Sequence, residues 1–402
     1  MIELLAPSGD IERLKTAIKY GADAVYVGGM EFGLRKGAIN FTNDDLKESV
    51  QLVHKNNKKI YVTMNIIPHD NDLKGLDDYI KFLDSINVDA VIVSDPGILY
   101  RVKELSDLEI HFSTQGSVTN SESAKFWHKM GAKRIVLARE LTLDEIKNIR
   151  KNTPTSLELE VFCHGAMCMS YSGRCLISSF MTGRDANRGD CSHPCRYKYH
   201  LVEEKRPGEF FPIEEVDGGT YLLNSKDLCT LPFVDKLIEA GASSLKIEGR
   251  MKSPFYVANV LRVYRKAIND YLSQKDAYVF DSNLLKELTY ISHRPYTDGF
   301  YFGDPKEDGQ FNKSSSYQTN AQYIGDIIEV KNDRVFFNLK NGLNNGDTVE
   351  AISPTDVVEF KVNDLRNNKN INVERANVPN EIFSFKTDVD LTFFDHIRRV
   401  IS

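Results

Sequence analysis

Eight short apolar runs rich in β-branched residues mark the first 250 residues, at 2–6, 24–28, 59–65, 90–94, 109–114, 134–138, 157–162 and 244–248. They lack alternation of polar and apolar positions, the pattern of parallel strands covered on both faces. Between them lie amphipathic stretches such as DIERLKTAIKYG, with Asp10 to cap the start and Gly21 to stop the end, and NSESAKFWHKMG. Repeated strand–helix units of this kind predict a TIM (β/α)8 barrel over 1–290, its last unit completed by SPFYVANVLRVYRKAINDYL. An open doubly wound sheet is the competing arrangement, but no GxGxxG follows the first run.

The connection between runs seven and eight is far longer than a normal one. Residues 163–242 form a cysteine-rich insertion that holds all six cysteines, and in a barrel of this kind it belongs on the C-terminal face, where active sites are built. After 318 the texture changes to short alternating runs such as QYIGDIIEV, RVFFNLK and VEFKV, separated by Asn-rich turns. These predict a small C-terminal antiparallel β-barrel over 318–402, joined through a linker at 291–317.

The cysteines are Cys163, Cys168, Cys175, Cys191 and Cys195, then Cys229. Thiolates are soft ligands, so four converging on one point suit zinc or an iron–sulfur cluster. No pair has CxxC spacing, and the irregular gaps favour a cluster held by loops over a zinc finger. Disulfides would need an oxidising compartment, whereas MIELLAPSGDIERLK has neither a basic nor an apolar leader region. There is no run of about 18 apolar residues to span a membrane. A cytoplasmic chain with reduced thiols and no membrane contact is expected. Cysteines serving only as small buried hydrophobes would not cluster in this way. The net charge of −6 gives no global attraction to nucleic acid, so any such contact must rest on a local patch.

Polar residues gather where the runs end: Ser8, Asn65, Asp95, Thr114, Gln115, Arg139, Glu140, His164, Lys246, Glu248 and Arg250. Ser8 and Asp95 have local explanations as a cap and a turn former. Charged residues at the ends of apolar strands must be paired or bind something charged, which singles out Arg139 with Glu140 and Glu248 with Arg250. With Arg174, Arg184, Arg188 and Arg196 of the insertion they could hold an anionic small molecule or phosphates through paired donors. His164 is placed for proton transfer, with Glu140 and Glu248 as further candidates; the plain alternative for His164 is a local hydrogen bond that supports the loop. Substrate contacts are expected from Arg139, Arg250, Lys246, Gln115, Asn65, Arg188 and Arg196. An RNA patch would combine Arg184, Arg188, Arg196 and Lys198 with Tyr197 and Tyr199, and with His293, Arg294 and Tyr296 of the linker. The competing expectation is that these arginines only pair with nearby acids such as Asp185 and Asp190. No GxSxG, HExxH or P-loop is present, so serine or zinc hydrolysis has no visible machinery.

ELEVFCHGAMCMSYSGRCLIS at 158–178, TGRDANRGDCSHPCRYKY at 182–199, NSKDLC at 224–229 and LKIEGRMKS at 245–253 resemble the collagenase-like "unclassified peptidase" family. The similarity starts at ELLAPSG, 3–9, and reaches more loosely into the C-terminal domain. It implies oxygen-independent hydroxylation, a 4Fe–4S cluster held by cysteines, and prephenate as the hydroxyl source. In size the chain is most similar to members that form 5-hydroxyuridine at the wobble position of tRNA, so tRNA and prephenate are the implied partners. Hydroxylation of rRNA or of a quinone precursor, and a metal-assisted collagenase-like peptidase, are the alternatives. A paralogue of the same family is a further candidate partner, with the chain then serving as a cluster-bearing scaffold. Carried over by motif, Cys168, Cys175, Cys191 and Cys229 are the implied ligands, Cys195 is the alternative fourth, and Cys163 packs.

Overall fold

The computed structural model describes residues 2–34, 40–168, 170–197, 201–202, 210–211, 225–309 and 317–401. Lys198 and Tyr199, expected in an RNA patch, lie outside the described residues. The chain divides into two compact units. The first comprises Met1–Leu14, Ala22–Met251 and Arg294–Tyr317; the second Lys15–Gly21, Lys252–His293 and Gln318–Ser402.

The first unit is the expected barrel. Strands β1 (Glu3–Pro7), β2 (Ala24–Gly28), β3 (Lys59–Met64), β4 (Ala90–Val93), β5 (Glu109–Phe112), β6 (Arg134–Val136) and β7 (Glu158–Ala166) pair in sequence order. After the short strand β8 (Asp227–Cys229), strand β9 (Ser244–Ile247) closes the ring between β7 and β1. β2, β4 and β9 are buried at every position, which is why their sequences do not alternate. The helices between strands start at side-chain caps: Thr42 and Thr142 form capping boxes with Asp45 and Glu145. Asp95 accepts from the Ile98 amide ahead of Pro96, so it is a helix cap.

Two kinds of packing fill the barrel. Leu5, Ala24, Tyr26, Tyr61, Ala90 and Ile92 form an apolar cluster. A charged network contributed largely by the later strands completes it. Arg134 donates to Glu3 (2.5 Å), Glu158 (2.8 Å) and Glu160 (3.1 Å), and the Lys246 ammonium lies 2.9 Å from Glu160. Burial pushes the Glu160 carboxyl up, but Lys246 and Arg134 outweigh it and hold the group below the usual carboxylate range.

β7 outlasts its barrel partner. Its middle pairs in parallel with β9, and its end, His164–Ala166, pairs antiparallel with β8 in the register Ala166↔Asp227 and His164↔Cys229. Tyr296–Thr297, strand β10, adds to β8 in parallel. Arg294 is buried and donates to Asp227 at 2.8 and 3.1 Å, fixing this edge. His293 is buried as well. Both therefore stand apart from the surface patch expected of them.

The second unit is an antiparallel half-barrel. Its seven strands run in the order Val357–Lys361, Thr348–Ile352, His396–Val400, Ala321–Lys331, Arg334–Leu339, Ile382–Lys386 and Asn363–Arg366. Phe337, Phe385, Phe360 and Ile397 are among its core residues. The helix Pro254–Gln274, started by Ser253 and Pro254, groups with this unit. Among the described residues no helix is long and apolar enough to cross a membrane.

Candidate active site

The cysteine segment is fastened at both sides of the barrel mouth. Behind β6, the Glu140 carboxylate accepts from the Ser172 amide (3.0 Å) and hydroxyl (3.2 Å). The next residue, Gly173, has φ +75° and lies on the carbonyl of Gln115 behind β5, where a Cβ would overlap the oxygen. Only glycine suits both conditions. Behind β3, the Ile67 amide donates to the Asn187 carbonyl (3.0 Å), and the Asn187 side chain donates to the Cys175 carbonyl (3.0 Å). Arg188 donates to Asp72 in the same loop. The segment from Cys168 to Arg188 thus bridges the ends of β5 and β6 to the end of β3, across the face where the sites of such barrels lie.

The six thiols differ in exposure. Cys168 is exposed, Cys175, Cys191 and Cys195 are partly buried, and Cys163 and Cys229 are buried. Burial pushes the Cys195 thiol up, Arg196 opposes the shift, and Cys168, Cys191 and Cys175 each add to it. Burial also pushes Cys163 well up, followed by the influence of Cys229. Cys195 thus lies within electrostatic reach of Cys168, Cys191 and Cys175, and Cys163 within reach of Cys229. Cys163 donates to the Lys246 carbonyl at 3.4 Å, as a packed thiol does. Cys191 and Cys195 lie on one turn, which the Tyr197 hydroxyl steadies by donating to the Ser192 carbonyl (2.9 Å).

Among the described residues no three His, Cys, Asp or Glu side chains meet at coordinating distance of one point. The donors nevertheless fit an iron–sulfur cluster in kind. They are four thiols carried on loops and turns with no carboxylate among them, and a cluster offers four separate iron corners where a single ion has one centre.

The expected polar groups stand at the ends of the strands. Arg139 donates to the Ala166 carbonyl (3.2 Å), lies 5.4 Å from the Phe162 ring centre, and has a buried Nε with no partner among the described residues. Among the described residues it has no carboxylate partner. Arg250 is buried and donates to Asn40 (2.7 Å) and Thr63 (3.5 Å). Its guanidinium lies flat against Gly28, where a Cβ would overlap it. His164 is buried at the end of β7, with its carbonyl accepting from the Glu248 amide (2.8 Å) and its ring 5.4 Å from that of Tyr296. Asn65 donates to Ser113 (3.4 Å), and its buried carbonyl oxygen has no partner among the described residues.

Other expected site residues are engaged by protein partners. Lys246 lies inside the barrel in its ion pair with Glu160, Glu140 holds the Ser172 turn, Gln115 supports Gly173, and Arg188 is taken by Asp72. Arg184 is taken by Asp190 at 2.6 Å. Arg196 stands beside Cys195 and reaches the Tyr317 hydroxyl at 3.5 Å. Sequence reasoning had not marked Asp72, Ser172, Asn187, Asn40 or Thr63. Each acts through a partner far away in sequence, and no local pattern signals such a pairing.

The profile of peptidase family U32 matches residues 9–310, and that of the peptidase family U32 C-terminal domain matches 319–398. "tRNA hydroxylation protein P1" of Bacillus subtilis (strain 168) is 38% identical over 391 residues, 96% of this chain and 92% of that protein. "tRNA hydroxylation protein P" of Escherichia coli (strain K12) is 36% identical, covering 91% of this chain and 89% of its own. An uncharacterized protease of Methanocaldococcus jannaschii is 46% identical over 77% of this chain and 75% of its own.

Proposed function

We propose that this chain, which belongs to peptidase family U32, is an RNA-modifying enzyme that hydroxylates a tRNA uridine. Two relatives matched over nine-tenths of the chain carry names for tRNA hydroxylation, which supports this reading over the family's peptidase label. The observation that carries it is the thiol-bearing segment fastened across the barrel mouth, with Arg139 bonded to the Ala166 carbonyl two residues before Cys168 and, among the described residues, without a carboxylate partner. A peptidase would need a nucleophile or metal-bound water, and neither GxSxG nor HExxH occurs in the sequence.

In this reading Cys168, Cys175, Cys191 and Cys195 hold a 4Fe–4S cluster, which when bound supplies electron-transfer and Lewis-acid chemistry at the mouth. Cys195 takes the fourth place in this reading because it shares a turn with Cys191, whereas Cys229 is buried on the strand paired with the end of β7. Prephenate, a dicarboxylate, serves as hydroxyl source. Arg139 offers it planar paired donors, and Arg250, pinned by Asn40 and Thr63, keeps the opposite wall positive. His164 holds or releases a proton at the end of β7.

The test is mass analysis of bulk tRNA nucleosides from cells lacking the gene, complemented with wild-type and Cys195→Ala chains. Loss of 5-hydroxyuridine, restored only by the wild type, is expected. Unchanged 5-hydroxyuridine in the deletion would overturn the function. Full complementation by Cys195→Ala together with failure of Cys229→Ala would return Cys229 to the ligand set.

A further inference from the structure

We propose that the outward face of the cysteine segment docks unpaired RNA, with Phe180 stacking on a base and Arg174 and Arg196 holding the adjacent phosphates. The proposal rests on the reading of RNA as substrate and gives that substrate a place to bind.

The helix Ile177–Thr182 is oriented by hydroxyls. Ser178 and Thr182 bond the Ser192 hydroxyl at 3.0 and 2.8 Å, and Ser178 also accepts from the Ser192 amide. That side of the helix is occupied, and the other is turned to solvent. Phe180 is 91% exposed and the preceding Leu176 70%, with Tyr171 at 53% and Tyr197 at 46% on the neighbouring turns. An apolar ring left almost wholly in water gives up the stabilisation that burial would supply, and several such groups together mark a binding surface.

Charge narrows the choice of occupant. Two of the segment's arginines are neutralised, Arg184 by Asp190 and Arg188 by Asp72. Among the described residues Arg174 and Arg196 have no carboxylate partner. Arg174 closes a turn by donating its amide to the Tyr171 carbonyl (3.0 Å), and Arg196 directly precedes Tyr197. A cation therefore sits within three residues of an exposed aromatic ring on each of two turns, Arg174 with Tyr171 and Arg196 with Tyr197. Protein interfaces also favour Tyr, Phe and Arg, so it is the RNA substrate of the proposed function that selects the occupant: unpaired RNA calls for rings for its bases and guanidinium groups for its phosphates. The chain is acidic overall, at −6, so a local cationic surface confines the contact to one place. That place adjoins the thiols, and a base turned out of its stack there has a short path to the mouth.

The experiment uses anaerobically purified full-length protein and a fluorescently labelled tRNA anticodon stem-loop, with anisotropy recorded across a salt series. Phe180→Ala should weaken binding on the order of tenfold, the loss of one stacked base, at an unchanged salt slope, and Phe180→Trp should restore it. Arg174→Gln and Arg196→Gln should each lower the slope of log affinity against log salt by about 0.7. Iron content should be unaltered in Phe180→Ala and Arg174→Gln. Wild-type affinity in Phe180→Ala would overturn the proposal, as would a variant that keeps RNA affinity and loses self-association. If Phe180→Ala loses RNA affinity while tRNA from the gene deletion keeps its 5-hydroxyuridine, the docking surface stands and the hydroxylation reading falls.

Discussion

Arg188 and Asp72 meet across 116 positions of sequence, joined by hydrogen bonds of 2.6 and 3.1 Å. The pair ties the far end of the cysteine segment to the loop behind β3. Its partners are partly exposed, so its weight in global stability is small. Its effect on where the segment rests is large, because the Asn187 bonds to Ile67 and Cys175 lie beside it. Arg188→Ala should leave the thermal midpoint nearly unchanged and reduce iron retained after gel filtration. Full iron in that variant would show that the other bonds suffice.

Glu140 separates two roles cleanly. As a proton-transfer group, its amide variant would lose turnover with iron intact. As the acceptor for both Ser172 donors, Glu140→Ala should lose iron and turnover in parallel, at a cost of about 1.5–3 kcal/mol for a charged hydrogen bond. Glu140→Gln, which keeps one acceptor oxygen, should retain more of both. Iron analysis beside single-turnover kinetics distinguishes the outcomes.

Inside the barrel, Lys246→Met would leave Glu160 with Arg134 alone. Breaking a buried pair by removing one partner costs about 3–5 kcal/mol, and Lys246→Met with Glu160→Gln should recover part of it. Denaturant titration measures both.

The same network sets an acid limit. Glu3 and Glu160 are held below their ordinary value of 4.5 by Arg134, with Lys246 also acting on Glu160, against the opposing effect of burial. A carboxyl whose folded pKa is depressed contributes stability above its unfolded pKa and loses it as pH falls through the folded one. Unfolding free energy should therefore gain little from these groups between pH 7 and 5, and fall steadily below 4.5. A curve flat to pH 3 would remove Glu3 and Glu160 from the account.

Arg139→Lys keeps a positive charge and loses the planar fork. Prephenate affinity by calorimetry should drop several-fold with iron unchanged. Equal affinity would move the anion contact to Arg250.

The barrel was legible because parallel strands buried on both faces leave unalternating runs, and the 59–65 run became Lys59–Met64. The 109–114 run ends sooner, at Phe112, since Ser113 caps a turn through its hydroxyl. The place to which Cys229 returns was not legible. Cys229 lies far beyond Cys195 in sequence and returns beside Cys163 only because β8 folds back on the end of β7. Nor does spacing reveal that Arg188 answers to Asp72, or Arg134 to Glu3, since each partner arrives from a different strand or loop.

The pairing of Ala166 with Asp227 has a consequence for how such a chain can change. The long excursion leaves the end of β7 and returns to it at one and the same rung, so the barrel beneath experiences it as a tight hairpin whatever its contents. Lengthening such a loop costs only a logarithm of its size, about 0.6 kcal/mol per doubling. Segments of different reach could hang from that rung as interchangeable attachments, each presenting a new surface to a new substrate while the ring beneath keeps its register.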